Sequence, residues 1–231
     1  MRPVLFELAG LEVTSYGVSK ALAALVAGVM LAAELRRLER DPDAAYSLAL
    51  AGLLGGFAGA KLYYLAEHAG SLSVHDFGGM GFTWFGGLIG GALATAAVAR
   101  RHSIPVSLLA GIAAAPLAVA YGVGRLGCLL AGDGTYGTPS EVPWAMSFPD
   151  GTVPTLERVH PTPLYEAIGA FLVGALLWRL RVRLAPLALF ALYAFSWAFR
   201  ASSSSSFDST TRSCSGSRSP SSGRSSWWRE G

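Results

Sequence analysis

Residues 124–137, GRLGCLLAGDGTYG, place a guanidinium, a thiol and a carboxylate in quick succession after a long apolar segment. A guanidinium is planar, permanently charged and offers a two-pronged donor fork, so Arg125 suits a phosphate. Its simpler roles are snorkelling to a membrane interface or pairing with Asp133 or Glu166. Cys128 could be a nucleophile if Arg125 lowered its pKa; the simpler reading is a small buried apolar residue. Asp133, between Gly132 and Gly134, reads first as a turn residue. Further along, Glu166 lies four residues into another apolar segment, beside Tyr165 and after His160. His160 opens HPTP, where prolines suit the first turn of a helix. Lys61 precedes Tyr63 and Tyr64, and Tyr16 stands near the start of the first apolar run. Charged side chains at membrane depth are costly and default to functional candidates.

The elements that must position these groups are membrane helices. The chain has 231 residues, 52% hydrophobic and 14% charged, with mean hydropathy +0.43. The apolar residues fall in blocks near spanning length. Six spans are readable, at 17–35, 45–65, 82–99, 104–123, 162–179 and 184–199, so the expected fold is all-α, a polytopic transmembrane helical bundle. Arg36, Arg37 and Arg40 follow the first span, Arg100 and Arg101 the third, and Arg179, Arg181 and Arg183 the fifth. By the positive-inside rule these loops are cytoplasmic. The N-terminus, the loop 66–81 and the loop 124–161 then face outward, and the candidate residues gather at the outer end of the bundle. The net charge of +3 is a topology signal, which argues against a nucleic-acid partner. Two cysteines, Cys128 and Cys214, make neither a disulfide framework nor a metal-ligand spacing. No removed signal peptide is legible at the N-terminus.

Glycine-rich runs, GLLGGFAGA at 52–60 and FGGLIGGALA at 85–94, let helix backbones approach closely in lipid. The domain reading is one membrane domain over 1–200 and a low-complexity tail over 201–231, with fourteen serines.

Taken together, SYG (15–17), GGFAGAKLYY (55–64), GGLIGG (86–91), GRLGCLLAGDGTYG (124–137) and HPTPLYEA (160–167) resemble the prolipoprotein diacylglyceryl transferase family, over roughly residues 1–199. The resemblance implies a multi-pass enzyme of the bacterial inner membrane with its N-terminus outside. Such an enzyme moves the diacylglyceryl group of phosphatidylglycerol onto the lipobox cysteine of a preprolipoprotein signal peptide, without metal or organic cofactor. It implies catalytic roles for Arg125, His160 and Glu166. It implies substrate contacts for Tyr16, Lys61, Gly86, Gly87, Asp133, Tyr136 and Tyr165, with membrane lipids all around.

The chain also departs from the family pattern. Where the family carries G-R-x-G-N-F-x-N-G-E, this chain has Cys128, Ala131 and Asp133 at the two asparagines and the glutamate. Phe85 stands for a histidine and Lys61 for an arginine. A seventh helix with a second arginine is expected from the family, and serines stand in its place. TCN serine codons read two bases later encode only Phe, Leu, Ile or Val, so 201–231 reads as that helix out of frame. Two rivals remain: a non-catalytic lipid-binding or scaffold protein on the same fold, and a small transporter, which would show inverted repeats.

Overall fold

The computed structural model describes residues 3–8, 11–70 and 81–198. Cys214, residues 71–80 of the loop 66–81, the serine-rich segment and the expected seventh helix lie outside the described residues. Six helices carry the fold: α1 (Ser15–Arg37), α2 (Ala44–Glu67), α3 (Trp84–Arg101), α4 (Val106–Ala131), α5 (Thr162–Leu180) and α6 (Pro186–Ala198). Four of them, α1, α2, α4 and α5, are long and apolar enough to cross a membrane. The other two readable spans are less complete: glycines and the terminal Arg100 and Arg101 dilute α3, and α6 is shorter. The all-α expectation holds for the bundle, with two small additions. β1 (Val4–Leu8) pairs antiparallel with β2 (Leu11–Thr14), and β3 (Met146–Phe148) with β4 (Thr155–Val159). Both hairpins lie outside the apolar blocks, where periodicity gave no warning of them.

Helices are the expected answer to these compositions, because lipid leaves no partner for backbone groups other than the helix itself. The Thr14 hydroxyl oxygen caps α1 by accepting from the Gly17 N–H at 3.1 Å. Arg36 and Arg37 stand in its last turn, where cations complement the carbonyl end. The fourth span was expected to stop at residue 123, but α4 continues to Ala131. Gly127 is the one weak helix former in RLGCLLA, and there α4 packs closely on Ser19 of α1; the helix ends at Gly132, which takes the left-handed backbone at φ 62°. At about 1.5 Å per residue, α4 is roughly 39 Å long, against a hydrocarbon layer of about 30 Å. Arg125 therefore belongs to a helix, and the long loop expected to start at 124 begins at Gly132.

α4 is the hub, packed against α1 on one side and α5 on the other, while α2 and α3 form a pair joined to the rest mainly through α1. The α2–α3 contact is nearly backbone to backbone. A Cβ on Gly90 would meet the Gly59 Cα at 2.7 Å and its N at 3.1 Å. Gly90→Val should therefore cost about 1–3 kcal/mol by overpacking, and a lowered thermal midpoint in detergent checks this. Buried apolar residues concentrate at the arginine-rich end, where Leu31, Leu35, Ala45, Leu48, Ile104 and Ile112 pack together. Arg40 ties two loops there by donating to the Ser103 carbonyl at 2.9 Å. Glu34, only 2% exposed, ion-pairs with Arg37 at 2.8 Å and with Arg181, fastening α1 to the turn after α5. A cavity of about 200 Å³ opens beside this trio, at the opposite end of the bundle from Arg125. Elsewhere large apolar side chains such as Leu62, Leu93 and Leu172 face outward, as lipid allows.

Candidate active site

At the other end, α4 and α5 bring three polar side chains together. Arg125 lies one helical turn beyond Tyr121, on one face of α4. Its Nε donates to the Tyr121 hydroxyl at 3.0 Å and forms an ion pair with Glu166 Oε2. The Tyr121 hydroxyl donates in turn to Glu166 Oε2 at 2.5 Å. Arg125 Nη1 approaches the buried Cys128 sulfur at 4.0 Å. The two charged side chains are about one-fifth exposed, 22% and 19%. Arg125 thus neither snorkels alone nor pairs with Asp133: its anionic partner is Glu166. The pairing holds its Nε and leaves part of the guanidinium open.

Close helix contacts explain how α5 can deliver Glu166 there. A Cβ on Gly122 would meet the Phe171 ring at 2.7 Å, and one on Gly174 would meet Val119 at 2.6 Å. Pro161 and Pro163 stand at the start of α5, which puts Tyr165 and Glu166 in its first turns.

A second group adjoins the first through the chain. Tyr165 precedes Glu166, and its hydroxyl receives the Trp144 indole N–H at 2.6 Å and lies 3.1 Å from His160 Nδ1. Consecutive residues of α5 therefore join one cluster to Arg125 and the other to the loop that follows α4.

That loop is braced independently. Asp133 Oδ1 accepts from the Thr135 hydroxyl at 2.7 Å and the Thr135 N–H at 3.2 Å, a turn of the expected kind. Burial pushes the Asp133 carboxyl up, but hydrogen bonds from Cys128 and Thr135 outweigh it and leave the pKa below its ordinary 3.8. A carboxylate with a depressed folded-state pKa stabilises the fold above its unfolded value, and that contribution is lost as pH falls through the folded value. Between pH 7 and pH 3, Asp133→Asn should therefore flatten the decline of thermal stability, which a melting series checks. Tyr136 stacks on the fully buried Phe148, ring centroids 4.1 Å apart, and donates to the Val153 carbonyl at 3.0 Å. Burial holds its phenol above the ordinary value, so it remains a donor.

The remaining candidates stand on other helices, α1 and the α2–α3 pair. Lys61 sits on the α2–α3 pair, its ammonium 5.1 Å from the Phe82 ring centroid and 5.5 Å from that of Tyr64. Gly86 and Gly87 face the Gly59 and Gly56 carbonyls, where their missing side chains permit helix contact. Tyr16 lies on the first turn of α1, under the ammonium of Lys20, 4.8 Å from its ring centroid. Arg125, Tyr121 and Glu166 thus form a cluster on α4 and α5, flanked by α1, while Lys61, Gly86 and Gly87 stand on the α2–α3 pair. Sequence reasoning missed Tyr121 and Trp144. Tyr121 carried a usable signal, being four residues before Arg125 on one helix; Trp144 carried none, because a loop brings it to Tyr165. Among the described residues, no three His, Cys, Asp or Glu side chains converge as a metal site would require.

Comparison with known proteins agrees with the motifs. The family model described as prolipoprotein diacylglyceryl transferase matches residues 3–201. The chain is 32% identical over 200 residues to the phosphatidylglycerol–prolipoprotein diacylglyceryl transferase of Clostridium tetani, covering 84% of this chain and 80% of the relative. A second such protein, numbered 2 in Clostridium perfringens, is 32% identical over 186 residues, covering 77% and 72%. That of Geobacter sulfurreducens is 38% identical over 178 residues, covering 72% and 65%. Motif order, membrane helices and matched length agree: the chain belongs to the prolipoprotein diacylglyceryl transferase family.

Proposed function

We propose that this protein transfers the diacylglyceryl group of phosphatidylglycerol to the lipobox cysteine thiol of a preprolipoprotein. Family membership and relatives named for this reaction support the reaction class. The observation that carries it is the Arg125 guanidinium, held at one end of the bundle by Tyr121 and Glu166 and still open on one side. The basic loops argue that this end faces outward from the inner membrane, at the level of lipid headgroups.

The chemistry asks for what this end offers. The thiolate sulfur attacks the glyceryl carbon, a C–S bond forms, and the C–O bond to phosphate breaks. Glycerol phosphate leaves with both electrons of that bond, so the phosphate goes from one negative charge to two. Stabilising charge that grows in the transition state is the main service a protein can supply, and a fixed guanidinium supplies it. The thiol proton needs an acceptor, for which Glu166 and His160 stand on adjoining hydrogen-bond clusters. Trp144 and Tyr165 orient the His160 ring. Tyr16, Lys61, Asp133 and Tyr136 frame the lipid and the loop above it, and Gly86 and Gly87 set the α2–α3 approach.

The test is direct. Purified full-length protein in phosphatidylglycerol liposomes is given a lipobox peptide, and mass spectrometry reads a diacylglyceryl adduct on cysteine with release of glycerol phosphate. Adducts in phosphatidylglycerol but not in phosphatidylcholine liposomes are expected. Peptide that stays unmodified while phosphatidylglycerol still binds would favour the lipid-binding rival, on which Cys128, Ala131 and Phe85 are the relevant departures.

A further inference from the structure

We propose that Lys20 is a second anion-binding cation of this site, reaching the lipid phosphate from α1 on the side of Arg125 away from α5. The inference rests on the transferase reading for its substrate and on independent geometry for its placement.

Charge accounting motivates it. The ion pair with Glu166 offsets the charge of Arg125, so the α4–α5 cluster is close to neutral before substrate arrives. A phosphodiester brings one negative charge, and the leaving glycerol phosphate carries two. A neutral cluster matches neither state, so a further cation close by would complete it.

Lys20 is in position. Its ammonium lies 3.5 Å from where a Cβ on Gly124 would stand, and Gly124 immediately precedes Arg125. The ammonium therefore lies against α4 at the residue before Arg125. Gly124 has no side chain to block that approach. The α1–α4 register is held one step away, where a Cβ on Gly127 would meet the Ser19 Oγ at 2.6 Å. Ser19 is buried and donates to the Ser15 carbonyl at 2.8 Å. The Lys20 ammonium lies 4.8 Å over the ring centroid of Tyr16, one turn back toward the helix start, which directs it to headgroup depth. Among the described residues it forms no ion pair. Lys20 is exposed, and an ammonium that snorkels to headgroup depth is placed where lipid phosphates lie.

Three full-length chains decide the matter: wild type, Lys20→Met and Lys20→Arg, each in nanodiscs of phosphatidylcholine with or without phosphatidylglycerol. Retention of phosphatidylglycerol is read by native mass spectrometry, transfer to a lipobox peptide by kinetics, and stability by thermal melting. Lys20→Met should weaken phosphatidylglycerol retention and lower kcat/KM by about tenfold or more. It should weaken inhibition by glycerol 1-phosphate in parallel and leave the melting temperature unchanged. Lys20→Arg should restore most of each. Retention and kcat/KM at wild-type levels in Lys20→Met would overturn the proposal. A fall in melting temperature that Lys20→Arg fails to rescue would do so too, because it assigns Lys20 a structural role. If the wild type transfers nothing, the transferase reading fails by itself, and the loss or persistence of phosphatidylglycerol retention in Lys20→Met still decides the role of Lys20.

Discussion

Arg125→Ala is expected to slow diacylglyceryl transfer by about 10²–10³-fold, equivalent to about 2.7–4 kcal/mol of transition-state stabilisation. The loss should fall mainly on kcat, because the phosphate gains its second charge only as the C–O bond breaks, and a contact that strengthens there lowers the barrier. Arg125→Lys separates charge from shape. It keeps a cation but loses the planar fork that contacts Tyr121 and Glu166 while leaving donors open, so it should recover only part of the rate. The removal also leaves Glu166 without its cationic partner, so melting temperature should be read beside activity. Full activity in a folded Arg125→Ala protein would remove the central element of the proposed mechanism.

The second large effect is expected at Glu166, where two variants distinguish roles. Glu166→Gln is nearly isosteric and can still accept from the Tyr121 hydroxyl, but it cannot neutralise Arg125 or take a proton. Transfer should fall by about 10²–10⁴-fold if the carboxylate is the base that receives the thiol proton. Retention of phosphatidylglycerol should hold or increase, since the guanidinium is then fully available to the phosphate. Glu166→Ala also removes the acceptor of the Tyr121 hydroxyl and leaves the partly buried Arg125 unpaired, so it should cost stability as well as rate. A Glu166→Gln protein with unchanged kcat would show that the carboxylate only holds Arg125 and would move the base assignment to His160. The opposed responses of lipid retention and turnover make this pair informative.

Much of this protein was legible from sequence because membrane architecture is written in composition. Long apolar blocks cannot satisfy their backbone in lipid except as helices, and arginine clusters set an expected orientation without any knowledge of packing. The glycines of 52–60 and 86–91 announced a close helix contact, and α2 and α3 make it at Gly59 and Gly90. Arg125, Glu166, His160 and Tyr165 stand out as candidates because charged or hydrogen-bonding groups beside apolar runs are rare, and their motifs occur in the order of the family.

What only the tertiary structure decided is who meets whom. The end of α4 was misplaced by sequence because helix-compatible residues continue past the apolar block, and Gly132 ends the helix through its left-handed backbone. That extension puts Arg125 and Tyr121 on one helical face. The small residues between α4 and α5 then let Glu166 come close enough to pair with Arg125, a choice between Glu166 and Asp133 that spacing left open. Lys61, Gly86 and Gly87 stand on the α2–α3 pair, which packs mainly on α1, and which helix carries them against which was not legible from spacing. Lys20 was silent in the sequence, one lysine near a helix start. It gained meaning only when α1 laid it against Gly124, because proximity between distant segments is set by helix packing and not by any local pattern.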